Sequence, residues 1–187
     1  MPQMSKNGIT TETTQNFMID VGAVYKNYDE DGERLLGATR DGATFAVETD
    51  YREIEIDGRR GPLKGGRRII EVRPQMTVNL LEVTKDNLML ALTGSDSESN
   101  TNHDIIHRNR DIQLSDYVDN IALVGTMSGT DTPIILIVKN AIADNEITLD
   151  TSDRDETTLE VVFTGHFDPD DLDDEPWEIR YPNGSAA

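Results

Sequence analysis

The chain contains no cysteine, which excludes disulfides and thiolate metal sites and leaves the redox compartment open. Aromatic residues make up only 5% of it, with a single tryptophan. That leaves little surface for stacking on sugars or bases. Three histidines limit the scope for imidazole chemistry. The longest apolar run covers residues 134–138, and the opening MPQMSKNG has no hydrophobic signal region. The sequence therefore predicts neither a membrane span nor export by a standard leader. The hydrophobic fraction, 36%, is below that of an ordinary globular domain. A chain of 187 residues fits one domain, and long arms or loops that bury little would account for the shortfall.

Basic residues are scarce too: 17, against 36 acidic residues, for a net charge of −19. A chain so charged repels nucleic acid as a whole. Asp outnumbers Glu 22 to 14 and Arg outnumbers Lys 12 to 5. Aspartate-rich, lysine-poor surfaces suit concentrated salt, where screening removes most self-repulsion, and ordinary acidic solubility explains the bias equally well. The charge is also segregated. Residues 52–73 carry seven bases (Arg52, Arg59, Arg60, Lys64, Arg67, Arg68, Arg73) and four acids, whereas residues 144–178 carry fourteen acids and one base, Arg154. Basic and acidic ends of this kind can meet between successive copies stacked head to tail. A solvated loop and a solvated tail are the plainer reading.

The pattern of what is present is mostly that of strands. Residues 1–16 are polar, threonine-rich and aperiodic, and read as a flexible arm. Phe17, Ile19, Val21, Ala23 and Tyr25 alternate, predicting a strand with those side chains on its buried face. A turn around Gly32 leads to a short strand over residues 34–37. Two long strands follow, GATFAVETDYREIEI and RIIEVRPQMTVNLLEV, joined by the basic crossing DGRRGPLKGGR. In the first, the apolar phase slips by one near Arg52 and Glu53, which predicts a bulge or bend there. In the second, Pro74 removes a ladder donor and predicts an edge or bend. Thr84 as N-cap, Asp86 in the first turn and Gly94 as stop predict a short helix over 84–93. Residues 94–110 read as a polar loop, strands resume over 112–124, 134–138 and 159–163, and 167–182 reads as an extended C-terminal arm ending in a flexible tail, 183–187. Many strands with one helix predict a mainly β fold, a sandwich or small barrel with a short flanking helix and a long central hairpin.

No catalytic constellation stands out. Asp168, Asp170, Asp171, Asp173 and Asp174 suggest calcium, but the glycine and terminal glutamate of an EF-hand loop are missing. Asp29, Asp31 and Glu33 around Gly32 form a common acidic turn. His103 and His107 are four apart without an HExxH context, and His166 beside Asp168 has no serine or cysteine nucleophile motif with it. The glycines of 58–66 lack phosphate-loop spacing. The residues predict no enzyme, no cofactor and no metal site.

Four segments together resemble the tail tube (major tail) proteins of long-tailed phages and related tailed viruses: IDVGAVYKNY, RLLGATRDGATFAVETDYREIEIDGRRGPLKGG, RIIEVRPQMTVNLLEVTKDNLMLAL and TGHFDPDDLDDEPWEIRYP. The likeness covers most of residues 17–182, with departures in the longer loop at 94–110 and the high acid count. It implies a structural virion protein whose β-sandwich domain (17–182) forms hexameric rings that stack into a hollow tail tube. Viral DNA would pass through without tight binding. Implied partners are further copies of the chain, a tape measure protein and a tail terminator, with no membrane. The implied location is the virion tail, after assembly in the host cytoplasm. The resemblance makes 57–68 an inter-ring loop, with Arg59, Arg60, Leu63, Lys64, Arg67 and Arg68 at the contact. It makes the polar positions Glu48, Asp50, Glu53, Glu55 and Glu71 candidates for the lumen wall. The reading from another class is a monomeric β-sandwich module binding carbohydrate or calcium through its acidic C-terminal segment. That reading wants exposed aromatics, and Trp177 is the sole tryptophan.

Overall fold

The computed structural model describes residues 8–10, 12–149, 151 and 153–183, apart from the side chain of Val21. Of the expected N-terminal arm, residues 1–7 and 11 lie outside the described residues, as do 184–187 of the expected tail. The elements, in chain order, are β1 (Met18–Lys26), β2 (Arg34–Leu35), β3 (Thr39–Glu53), β4 (Arg67–Leu80), α1 (Lys85–Ala91), β5 (Ser95–Ser99), β6 (Asp104–Arg108), β7 (Val118–Met127), β8 (Ile134–Ala143), β9 (Leu159–Gly165) and β10 (Trp177–Arg180).

One antiparallel sheet runs β2-β1-β7-β8-β9-β4-β3, with β10 also paired to β8. β10 lies along Ile135–Val138 and β9 along Ala141–Ala143, so the two share β8 end to end. Between them Asn140 adopts a left-handed conformation, φ 45°. At this point the sheet folds over itself. β2, β1, β7, β8 and β10 form one layer, and β9, β4 and β3 the other. Val24, Ile121 and Val138 from the first layer meet Met76, Val78, Leu80, Leu159, Val161 and Phe163 from the second, all wholly buried. Phe45 of β3 packs on Trp177 of β10, ring centroids 6.5 Å apart, and holds the layers together at another point. The mainly β sandwich with one short helix is the architecture the sequence predicts.

Local chemistry explains the helix. Thr84 Oγ1 accepts from the backbone N–H of Asn87 (3.2 Å), Asp86 occupies the first turn, and Leu88, Leu90 and Ala91 pack on the core. Asn87 is itself buried. Its Nδ2 donates to the carbonyls of Leu36 (2.8 Å) and Glu82 (2.9 Å), and its Oδ1 accepts from Arg34 Nη1 (3.0 Å). One amide thus ties the helix to the segments on either side of it. Gly22 is required by packing: a Cβ there would lie 2.5 Å from Leu123 Cδ1 and 2.8 Å from the Val124 carbonyl.

Several expectations need correction. The alternating face of β1 is not the buried one: Phe17 and Ile19 are exposed, and Val24 is the residue in the core. A register shift between Ile19 and Ala23, with Asp20 at φ 67°, turns the strand over. The slip in the long hairpin is absorbed on the other strand: Asp50 faces Glu71 and Tyr51 faces Ile69, which leaves Ile70 as the extra residue. Residues 94–110 are not a loop. β5 and β6 form a hairpin whose turn is closed by Asn100 Oδ1, accepting from the N–H groups of Asn102 and His103. The strand expected over 112–124 begins only at Val118, after a single helical turn at Leu114–Asp116, and Ile112 and Leu114 are exposed. The C-terminal segment ends in β10, a sheet strand, because pairing with β8 and the Phe45–Trp177 contact dock it.

Candidate functional site

β4 pairs with β9 only from Gln75 to Leu80, but with β3 along almost its whole length. Pro74 stands just where the β9 ladder stops, so its missing N–H coincides with the end of that ladder. Outward from there β3 and β4 continue as a two-stranded ribbon, extending roughly 20 Å beyond the sandwich at about 3.3 Å per residue. Ile54 N–H donates to the Gly66 carbonyl (2.8 Å) and Gly66 N–H to that of Leu63 (2.9 Å), closing the connection over residues 54–66. Gly58 and Gly65, both at φ 83°, allow it to reverse.

The ribbon's outer half exposes a mixture that a solitary soluble protein rarely shows. Tyr51, Ile54, Ile56, Leu63, Ile69 and Ile70 are all at least two-fifths exposed, up to 63% at Ile70. Four cations lie among them. Arg52, Arg60 and Lys64 meet no acceptor among the described residues, and Arg68 meets only the carbonyls of Gly65 (3.2 Å) and Arg67 (2.8 Å). Arg52 and Arg68 stand directly opposite each other across the ribbon, an unfavourable like-charge pair. The remaining two bases of the expected contact are engaged. Glu53 holds Arg59 (3.1 Å) and Arg67 (3.6 Å), and Arg67 also lies over the Tyr51 ring at 5.2 Å.

Strand alternation sorts the expected lumen residues. Glu48, Asp50 and Glu71 share one face with Arg73, which binds both Asp50 and Glu71 at 3.1 Å, and with Arg52 and Arg68. That face is balanced, three acids to three bases. Glu53 lies on the opposite face beside Arg67, and Glu55 lies beyond the strand. The structure therefore does not bring the five acids together.

The other candidate groups are occupied structurally. His166 Nδ1 lies 3.1 Å from the Thr164 carbonyl, and its ring packs edge-on against Tyr117 at 5.2 Å. Asp168 and Asp171 accept from the N–H groups of Asp170 and Asp173 in successive turns, and Asp174 binds Lys139 (2.7 Å). Among the described residues no group of three or more His, Asp or Glu side chains is placed to hold a metal ion. A polar cleft of about 570 Å³ between α1 and the β1–β2 turn is lined by Ser95, Ser115 and Lys26, with no histidine.

Sequence reasoning missed the exposed isoleucines, because alternation assigns them to a buried face. It also merged two acidic regions that are separate in space. β9 runs antiparallel to β4, so the chain leaves from Asp144, whose N–H donates to the Val162 carbonyl (3.0 Å), and its described residues up to 158 lead to the Leu80 end, where Arg40 binds Asp155 and Glu156 (2.5 Å each). Residues 166–176 lie at the root of the ribbon, where Gly165 packs against Pro74. Searches of family models and curated proteins found no match to this chain. Among the described residues no helix is long and apolar enough to cross a membrane.

Proposed function

We propose that this chain is a structural subunit that assembles with copies of itself into stacked rings forming the hollow tail tube of a long-tailed virus, through which DNA passes. The observation that carries this reading is the ribbon, a long hairpin projecting from a closed sandwich with exposed isoleucines and cations on an otherwise acidic chain. Such a surface is a liability in a monomer and a resource in an assembly. Copies that meet through two different patches build rings when the rotation closes and filaments when it does not.

The family resemblance of residues 17–182 supplies the hexameric ring, the partners at the tube ends and the virion location. Within this reading the bore is kept non-adhesive by the net charge of −19 rather than by the five hairpin acids, of which Glu48, Asp50 and Glu71 share a face with three arginines and Glu53 and Glu55 lie elsewhere. The chain performs no catalysis in this role. Negative-stain microscopy of the purified protein from low to molar salt tests the proposal. Rings or tubes of uniform diameter are expected, and uniform 20.8 kDa monomers at every salt concentration overturn it.

A further inference from the structure

We infer that the ribbon tip of one copy seats on the acid-bearing loop 144–158 of a second copy, giving the subunit a built-in direction of stacking. The inference rests on the self-assembly reading above and names the two surfaces that meet. Three independent features lead to it.

The first is geometry. The tip and loop 144–158 lie at opposite ends of β4, because β9 starts beside Leu80 and β4 starts at the tip. Roughly 30 Å of strand separates Arg68 from the level of Asp144, beside Val162, and roughly 40 Å from Leu80, at about 3.3 Å per residue, so tip and loop cannot meet within one copy. End-to-end repetition of such a subunit brings a tip to a loop at every step.

The second is unmet charge. Arg52, Arg60 and Lys64 have no acceptor among the described residues, and Arg52 opposes Arg68 directly. At the far end, Asp144, Glu146 and Asp153 are exposed and, among the described residues, pair with no cation, while Arg40 already engages Asp155 and Glu156. An anionic surface placed over Arg52 and Arg68 relieves their repulsion, and among the described residues neither guanidinium is paired with a carboxylate.

The third is apolar surface at both ends. Ile69 and Ile70 flank the cations at the tip, and Leu149, 43% exposed, lies in the loop, with Val83, 40% exposed, at the same end. The acidic turn at 168–175 is the competing acceptor. It lies beside the root of the ribbon, and its aspartates already cap their own turns or bind Lys139.

Charge reversal tests the assignment, with wild type as reference and a thermal melt confirming that each variant folds. The tip variant is Arg52→Glu/Arg60→Glu/Arg68→Glu, and the loop variant is Asp144→Arg/Glu146→Arg/Asp153→Arg. Each alone should lower the assembled fraction seen by sedimentation at least roughly tenfold, since like-charge juxtaposition at an interface is strongly unfavourable. The combined variant should recover it. A folded loop variant that assembles like wild type overturns this contact while leaving the tube reading intact. Wild type that never assembles overturns the tube reading, and the contact falls with it.

The absence of native cysteine permits a second readout. Arg60→Cys/Glu146→Cys should give a ladder of disulfide-linked oligomers on mild oxidation, because one copy's two thiols are too far apart to join. Monomer alone overturns the contact.

Discussion

Met76, Val78 and Leu80 are wholly buried in β4, while Ile69 and Ile70, earlier on the same strand, are 56% and 63% exposed. The side chains are of one kind, and what differs is the flanking strand. Where β9 lies alongside, the inner face of β4 is covered by the first layer of the sandwich, through Val24, Ile121 and Val138. Where β9 ends, β4 has only β3 for company. Apolar residues in the inner half stabilise the subunit, and those in the outer half are available to something else. Composition does not distinguish the two uses; neighbours do.

The contrast breaks most sharply at Phe163. Phe163→Ala empties a wholly buried site between the layers and should cost about 3–5 kcal/mol in denaturant unfolding. Ile69→Ser/Ile70→Ser, by contrast, should stay within about 0.5 kcal/mol per site, as exposed substitutions do, while impairing assembly. A comparable loss of stability from the isoleucine pair would erase the distinction.

The root of α1 offers a smaller test on the body side. Asn87→Ala strands the buried carbonyl of Leu36 and releases Arg34, and should cost about 1–3 kcal/mol in the same measurement without altering how assembly depends on salt. A change in assembly without loss of stability would place α1 among the contact surfaces.

The smallest effect concerns the β5–β6 hairpin, a second projection with no exposed isoleucine pair. The Asp104 carboxyl is held below its usual range by the Ser99 hydroxyl and then by Lys85, whose Nζ lies 3.1 Å away. A carboxyl with its folded pKa depressed adds stability above the ordinary value near 4, and loses it as pH falls through the folded pKa. The Asp104 side-chain carboxyl carbon, followed by NMR, should therefore titrate with a midpoint below the ordinary carboxylate value. An Asp104 titration midpoint at or above the ordinary value would refute the assignment.

How much of this was legible in the sequence depended on whether the signal was local. Thr84, Asp86 and Gly94 marked the helix because a cap is read within one turn of chain. Pro74 marked the place where β4 loses its second neighbour, since a missing N–H matters only in a ladder. The slip near Arg52 was visible, but its location was not, because a bulge in either strand repairs the same register. The β5–β6 hairpin was hidden, as SDSES and DIIHR carry no buried face to signal their ladder, and the turn between them is closed by the Asn100 side chain. The acidic residues after Asp144 read as one block because sequence distance ignores the reversal that β9 makes between its two halves. The ribbon was legible as a hairpin, whereas its exposed face was not, because alternation says which residues share a side and not whether anything covers it.

The placement of β10 has a consequence for the order of events during synthesis. β3 emerges from the ribosome early, yet its Phe45 packs on Trp177, near the far end of the chain, and β8 gains its β10 neighbour only then. Pairings that join distant parts of a chain form slowly, and translation adds only about 5–20 residues per second. The ribbon's isoleucines are therefore synthesised long before the sandwich that anchors them can close. A nascent chain carries an exposed apolar hairpin on an unfinished base, and the acidic stretch after Asp144, made later, adds charge that keeps such chains apart.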